Sequence, residues 1–116
     1  MIFGGRDPLN PPDGGEVKTP WGSVEYHPPV LESFDRWRAF NRCGGEPVAT
    51  APDGVREFRA TGCAPDGDVR CVIVDDLGHH WPGGPRLLPP WIAGPASTRV
   101  DGARLLWDFF QSHRLT

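Results

Sequence analysis

Glycine and proline, 15 and 14 of the 116 residues, are the strongest constraint on what this chain can build. Proline fixes φ and removes a backbone donor, and glycine loses more conformational freedom on ordering than any other residue. Helices and strands are therefore confined to short stretches between these residues. A quarter of the chain as Gly plus Pro approaches the composition of disordered sequences, but 5 Trp, 1 Tyr and 6 Phe supply apolar surface that such sequences lack. The reading is one folded, loop-rich domain. The length is too short for two domains, and it suffices to bury about two-thirds of the unfolded surface.

Charge and cysteine usage exclude several classes. The formal net charge is −3, and the 12 Lys and Arg are scattered with no basic stripe, so nucleic acid is not an expected partner. No apolar run approaches the roughly 18 residues of a membrane-spanning helix, so no membrane partner is expected. Met1-Ile2-Phe3-Gly4-Gly5 lacks the charged and apolar regions of a secretory signal. Cys43, Cys63 and Cys71 form no C-x-x-C, and no H-x-x-x-H accompanies them, so neither a metal site nor a thioredoxin motif is signalled. By count alone, one disulfide with an odd thiol and three free thiols are equally allowed.

Along the chain, Ile2-Phe3 running into Gly4-Gly5-Arg6-Asp7-Pro8 reads as the end of a strand entering a loop, the strand lacking its beginning. Residues 10–29 carry five Pro without periodicity, and a long irregular loop holding Trp21, Tyr26 and His27 is expected. Leu31, Phe34 and Trp37 recur at helical spacing, with Ser33 as cap and Gly44-Gly45 as stop, which predicts a helix over 33–42. Residues 55–60 alternate weakly as a strand, and Asp66-Gly67 turns the chain. The run Cys71-Val72-Ile73-Val74, inside 69–75, suits a strand buried on both faces, as in a parallel sheet. A second Pro/Gly-rich loop covers 77–95. A terminal helix is expected from near Thr98, with Asp101 placed as a capping-box acid and Val100, Ala103, Leu106, Trp107 and Phe110 as one apolar stripe widened by Phe109.

Two residues in this order can carry chemistry. Asp7 and His79 each follow a strand, and in open α/β sheets functional groups gather beyond the carboxyl ends of the strands. An acid followed by a His is also the tail of the Ser, acid, His order of α/β-hydrolases, in which His moves the proton and the acid orients the ring. The plain alternative is that Asp7 before Pro8 is a turn residue and His79 a solvated one.

Specific residues favour the first reading. Gly78-His79-His80-Trp81-Pro82-Gly83-Gly84, followed by Leu106-Trp107-Asp108-Phe109-Phe110-Gln111-Ser112-His113, resembles the C-terminal signature of the polyhydroxybutyrate depolymerase and feruloyl esterase family, GHxWPGG and a WdFF-type helix. Gly4-Gly5-Arg6-Asp7-Pro8 is similar to that family's HGxxDp strand end, without its His and with Arg6 where Ala is common. Asn41-Arg42-Cys43 and Gly62-Cys63 resemble its NgC and gC segments.

The resemblance implies that residues 1–116 are one partial α/β-hydrolase domain, the C-terminal part of a mostly parallel sheet with flanking helices, lacking the N-terminal half. It also implies Asp7 as triad acid and His79 as triad base. Apart from the resemblance, Trp81 and Trp91 flank the His loop and either stack on an aromatic acyl group or sugar of the substrate, as pocket aromatics do, or belong to the core. Together with the position of Cys71 inside the apolar run, the resemblance implies a Cys43–Cys63 disulfide. A secreted or periplasmic enzyme without cofactor, acting on a polyester or a plant polysaccharide ester, follows from the family.

The chain departs from that family in one essential respect. Its serines are Ser23, Ser33, Ser97 and Ser112, and none sits in a G-x-S-x-G turn. The expectation is therefore a chain that supplies acid and base only and is inactive alone, its partner being the missing half. The alternative is a non-catalytic remnant or small carbohydrate-binding module presenting Trp21, Trp81 and Trp91.

Overall fold

A strand with no polar side chain over four residues must be covered on both faces, and the run at 71–74 organises the molecule accordingly. In the computed structural model, which describes residues 1–113, Cys71, Val72, Ile73 and Val74 are all buried. The elements in chain order are β1 (Ile2–Gly4), β2 (Gly15–Lys18), β3 (Val24–His27), α1 (Val30–Phe40), β4 (Val48–Thr50), β5 (Val55–Arg59), β6 (Arg70–Val74), α2 (Pro90–Ala93) and α3 (Gly102–Gln111). Four strands form one sheet in the order β1-β6-β5-β4, and β2-β3 form a separate hairpin. Alternation along β6 divides the core. Cys71 and Ile73 meet Val30 and Phe34 of α1, while Val72 and Val74 meet Leu77 and, more peripherally, Val100 and Leu105.

The expected mostly parallel α/β-hydrolase sheet is overturned. β1 runs parallel to β6, from Ile2↔Val72 to Gly4↔Val74, but β5 is antiparallel to β6 and β4 antiparallel to β5, and the hairpin is antiparallel as well. The chain between β5 and β6 explains the difference. Only residues 60–69 connect them, and a parallel crossover needs about a dozen or more residues. Burial on both faces, taken as a sign of parallel pairing, requires only a helix on each side of the sheet.

Other expectations are corrected locally. Residues 10–29 hold the β2-β3 hairpin rather than an irregular loop, because the prolines fall outside the strands and leave two free four-residue stretches. Its turn is closed by Thr19 and Ser23, whose backbone N–H donates to the Thr19 hydroxyl at 3.0 Å. α1 starts three residues before the expected 33, with Pro29 and not Ser33 at its N-cap, so that Val30 enters the core. It ends at Phe40 with Asn41 as C-cap, ahead of Gly44-Gly45, and Arg42 then turns into the left-handed region at φ 57°. β4 and the single turn of α2 were not anticipated.

Asp101 is the N-cap of α3 rather than a capping-box acid, and its Oδ1 accepts the Arg104 N–H at 3.0 Å. The helix turns Gly102, Leu105, Leu106 and Phe109 inward, so the expected stripe holds at Leu106 and Phe109 and fails at its other helical positions. Trp107 and Phe110, assigned to that stripe, lie 60% and 59% exposed.

All five tryptophans are exposed, from 51% at Trp37 to 77% at Trp91. The radius of gyration, 15.2 Å, exceeds the roughly 13 Å of a compact chain of this length. No helix among the described residues is long and apolar enough to cross a membrane.

A Cys43–Cys63 disulfide ties the chain just beyond α1 to the loop after β5, and Cys71 is left free inside β6, where burial pushes its thiol up to about 11. Opening this 20-residue loop is expected to cost about 3 kcal/mol in the loop-entropy account. Urea unfolding with and without reductant measures this. Thiol titration should find one cysteine, reactive only after unfolding; three reactive thiols in oxidised protein would contradict the assignment.

Candidate active site

Because β1 and β6 are parallel, the chain leaves both strands at the same edge of the sheet. Two backbone bonds hold the exits together, from Gly5 N–H to Val74 O at 2.8 Å and from Arg6 N–H to Leu77 O at 2.9 Å. Asp7 follows the first exit and His79 the second.

Asp7 is buried, and both of its oxygens are used. Oδ1 accepts the backbone N–H groups of Leu9 at 2.8 Å and Asn10 at 2.9 Å, the side-chain turn that Asp forms with its own downstream backbone. Oδ2 faces Nδ1 of His79 at 2.8 Å, across 72 residues of sequence. The second exit is equally constrained. Gly78 N–H donates to Pro95 O at 2.7 Å and His79 N–H to Ala93 O at 2.6 Å. A Cβ on Gly78 would run into the Ala93 carbonyl, so only glycine allows this approach.

These contacts assign the protons. A carboxylate accepts only, so Nδ1 of His79 carries the hydrogen and the neutral ring keeps its lone pair on Nε2. The side chain of Asp7 is 8% exposed and that of His79 51%, so the acid is held inside while the ring's other edge meets solvent. Such an imidazole accepts a proton at Nε2, and the fixed carboxylate stabilises the cation that forms.

Beside the pair lies a cavity of about 370 Å³ lined by Ile2, Phe3, Leu77, Trp81 and Pro82 together with Asp7, His79 and His80. Of the residues the sequence singles out, Asp7, His79 and Trp81 therefore come together. Trp91 sits exposed on α2 and does not line the cavity. The other histidines have other partners: His80, on the cavity wall, has Nε2 against Gly94 O at 3.0 Å, while His27 meets Glu25 at 3.2 Å and His113 meets Asp68 at 3.2 Å.

None of the four serines lines this cavity. Ser97 donates to Asp76 at 2.7 Å, Ser112 donates to Phe109 O at 2.7 Å, and Ser23 is joined to Thr19. Among the described residues, no three His, Cys, Asp or Glu side chains converge as metal ligands.

One supporting group lies at Asp75-Asp76, just past the end of β6. Asp75 pairs with Arg56 at 2.8 Å. Asp76 accepts the Ser97 hydroxyl and, at 2.9 Å, Arg99 Nε, and the Ser97 hydrogen bond foremost holds its carboxyl below the usual range. This clip closes the base of the 77–95 loop. Its partners lie 21 and 23 residues away, so no local signal could have shown it.

No family model, curated protein or solved structure matches this chain. The likeness of its His loop to the esterase signature rests on those residues alone.

The proton assignment can be checked chemically. Diethyl pyrocarbonate acylates unprotonated imidazole nitrogen, and His79 should react first of the four histidines because its Nε2 is both free and exposed. Asp7→Asn, whose amide N–H would face Nδ1 and move the ring proton to Nε2, should slow that reaction several-fold. Faster modification of His80 or His27, or no effect of Asp7→Asn, would contradict the assignment.

Proposed function

We propose that Asp7 and His79 are the acid–base pair of an acyl-transfer site that hydrolyses esters, with the attacking hydroxyl supplied by a serine outside this chain. The observation that carries the reading is the 2.8 Å Nδ1 to Oδ2 contact, made by a carboxylate whose other oxygen is pinned by two backbone N–H groups. As the serine oxygen bonds to the acyl carbon, Nε2 of His79 takes its proton, and Asp7 stabilises the imidazolium without itself being protonated. The ring then passes that proton to the leaving alcohol. Water repeats the sequence and releases the acid.

The likeness of Gly78 to Gly84 to the esterase motif supports an ester as substrate, from a polyester or from a feruloyl or acetyl group on plant polysaccharide. The cavity of about 370 Å³ accommodates one small acyl group, with Trp81 on its wall. The pair and its cavity need only the parallel pairing of β1 with β6, within a sheet whose other pairings are antiparallel. The disulfide fits an oxidising compartment, consistent with a secreted or periplasmic protein.

A second reading has its own support. Trp21, Trp81 and Trp91 are 67%, 52% and 77% exposed, as stacking platforms for sugars would be. A non-catalytic carbohydrate-binding module would use them without His79.

The two readings separate in one experiment. The chain alone should leave a p-nitrophenyl ester at the buffer rate and take no fluorophosphonate label. Combined with a polypeptide encoded beside it that carries a G-x-S-x-G serine, it should support hydrolysis and labelling of that serine, and His79→Ala should lower the rate about 10² to 10⁴-fold. Labelling of any of the chain's own serines, or an active mixture indifferent to His79→Ala, overturns the proposal. Retention on insoluble polysaccharide that survives His79→Ala and fails in Trp81→Ala favours the binding module.

A further inference from the structure

The acid turn and the base turn are not in contact through Asp7 and His79 alone. A third backbone segment, 93–95, passes between them, and its Gly94, immediately after α2, packs against both. A Cβ built on Gly94 would lie 2.9 Å from the Arg6 carbonyl oxygen, 3.4 Å from Pro8 Cδ and 3.4 Å from Gly78 Cα. Gly94 is thus wedged between the residues on either side of Asp7 and the residue before His79. Its φ of 73° is in the left-handed region, which glycine occupies without steric cost. Beyond the Gly5 and Arg6 bonds that join the two strand exits, this residue packs against both turns and limits how closely they approach.

His80 grips that spacer. Its Nε2 lies 3.0 Å from the Gly94 carbonyl oxygen, and since a carbonyl only accepts, Nε2 carries the proton and donates. The contact continues a ladder in which Gly78 donates to Pro95 and His79 to Ala93. Three consecutive residues, 78 to 80, are therefore bonded to the segment 93–95, two through backbone and one through the imidazole. Without the third bond, residue 94 is held on this side by packing alone.

We infer that His80 is a positioning residue: its hydrogen bond to Gly94 sets the separation of the Asp7 and His79 turns and so keeps the Nδ1 to Oδ2 bond closed. The inference rests on the acid–base reading of Asp7 and His79. His80 touches neither reacting atom and acts only through Gly94. It also explains why two adjacent histidines do not compete for one carboxylate: their rings diverge, one toward Asp7 and one toward the spacer.

The test reads the bond itself rather than activity. In proton and nitrogen NMR of the oxidised chain, the Nδ1 proton of His79 should appear far downfield and exchange slowly, as expected for a hydrogen held against a buried carboxylate. His80→Gln, whose amide nitrogen takes the place of Nε2, should retain that signal. His80→Asn, too short to reach Gly94, and His80→Ala should lose it to exchange while the backbone amide spectrum and thermal unfolding remain those of a folded chain. Gly94→Ala should lose it also. If His80→Ala does not fold, the contrast between the Gln and Asn variants decides the question. An unchanged signal in His80→Asn overturns the positioning role and leaves the pair intact, whereas absence of the signal in the unmodified chain overturns the pair and this inference with it.

Discussion

The three-residue parallel pairing of β1 with β6 is the contact on which the candidate site depends. Parallel strands leave a sheet at the same edge, so two turns that are 72 residues apart are delivered side by side, and the bonds from Gly5 to Val74 and from Arg6 to Leu77 continue the register past the strand ends. If β1 were antiparallel to β6, Asp7 and His79 would emerge at opposite ends. The pairing is itself secured by burial of β6 on both faces, by α1 on one side and by Leu77 with Ile2, Val55, Val100 and Leu105 on the other. Ile73 at 1% exposure and Val74 at 0% are among the largest side chains fully removed from water, and the transfer of such residues contributes roughly 1.5 to 3 kcal/mol each.

What could be read from the residues, and what could not, divides along physical lines. The apolar run at 71–74 and the helix bearing Phe34 were legible because local periodicity and burial coincide there. The mixed sheet was not, because two-face burial is common to parallel strands and to any central strand between helices; the short 60–69 connection, which decides between them, carries no apolar pattern. The hairpin at 15–27 was hidden by counting prolines rather than locating them. The face of α3 was legible in part: Val100, Leu106 and Phe109 are half-buried as expected, but Trp107 and Phe110 are apolar yet remain exposed, which periodicity alone cannot register.

At the site, Asp7 and His79 were named from strand-end position and from the likeness of the His loop, and the geometry then supplies what sequence could not. That Asp7 bonds Leu9 and Asn10, that Gly94 separates the two turns and that His80 holds Gly94 are all consequences of backbone convergence between segments far apart in the chain. The same is true of the Asp76, Ser97 and Arg99 clip. Such supports leave no composition or spacing signature. The exposed tryptophans have the opposite character: they are plain in the sequence, and the fold leaves them facing solvent, which is the state expected of surfaces that meet a ligand or another polypeptide.

The central claim is that a buried carboxylate fixes the tautomer of an exposed imidazole, leaving Nε2 free to accept a proton. Neutron diffraction from deuterium-exchanged crystals at alkaline pD tests it most directly. The account predicts a deuteron on Nδ1 of His79, in line with Asp7 Oδ2 at a separation near 2.8 Å, and none on Nε2. A deuteron on Nε2, or an Asp7 side chain turned away from the ring, would contradict it.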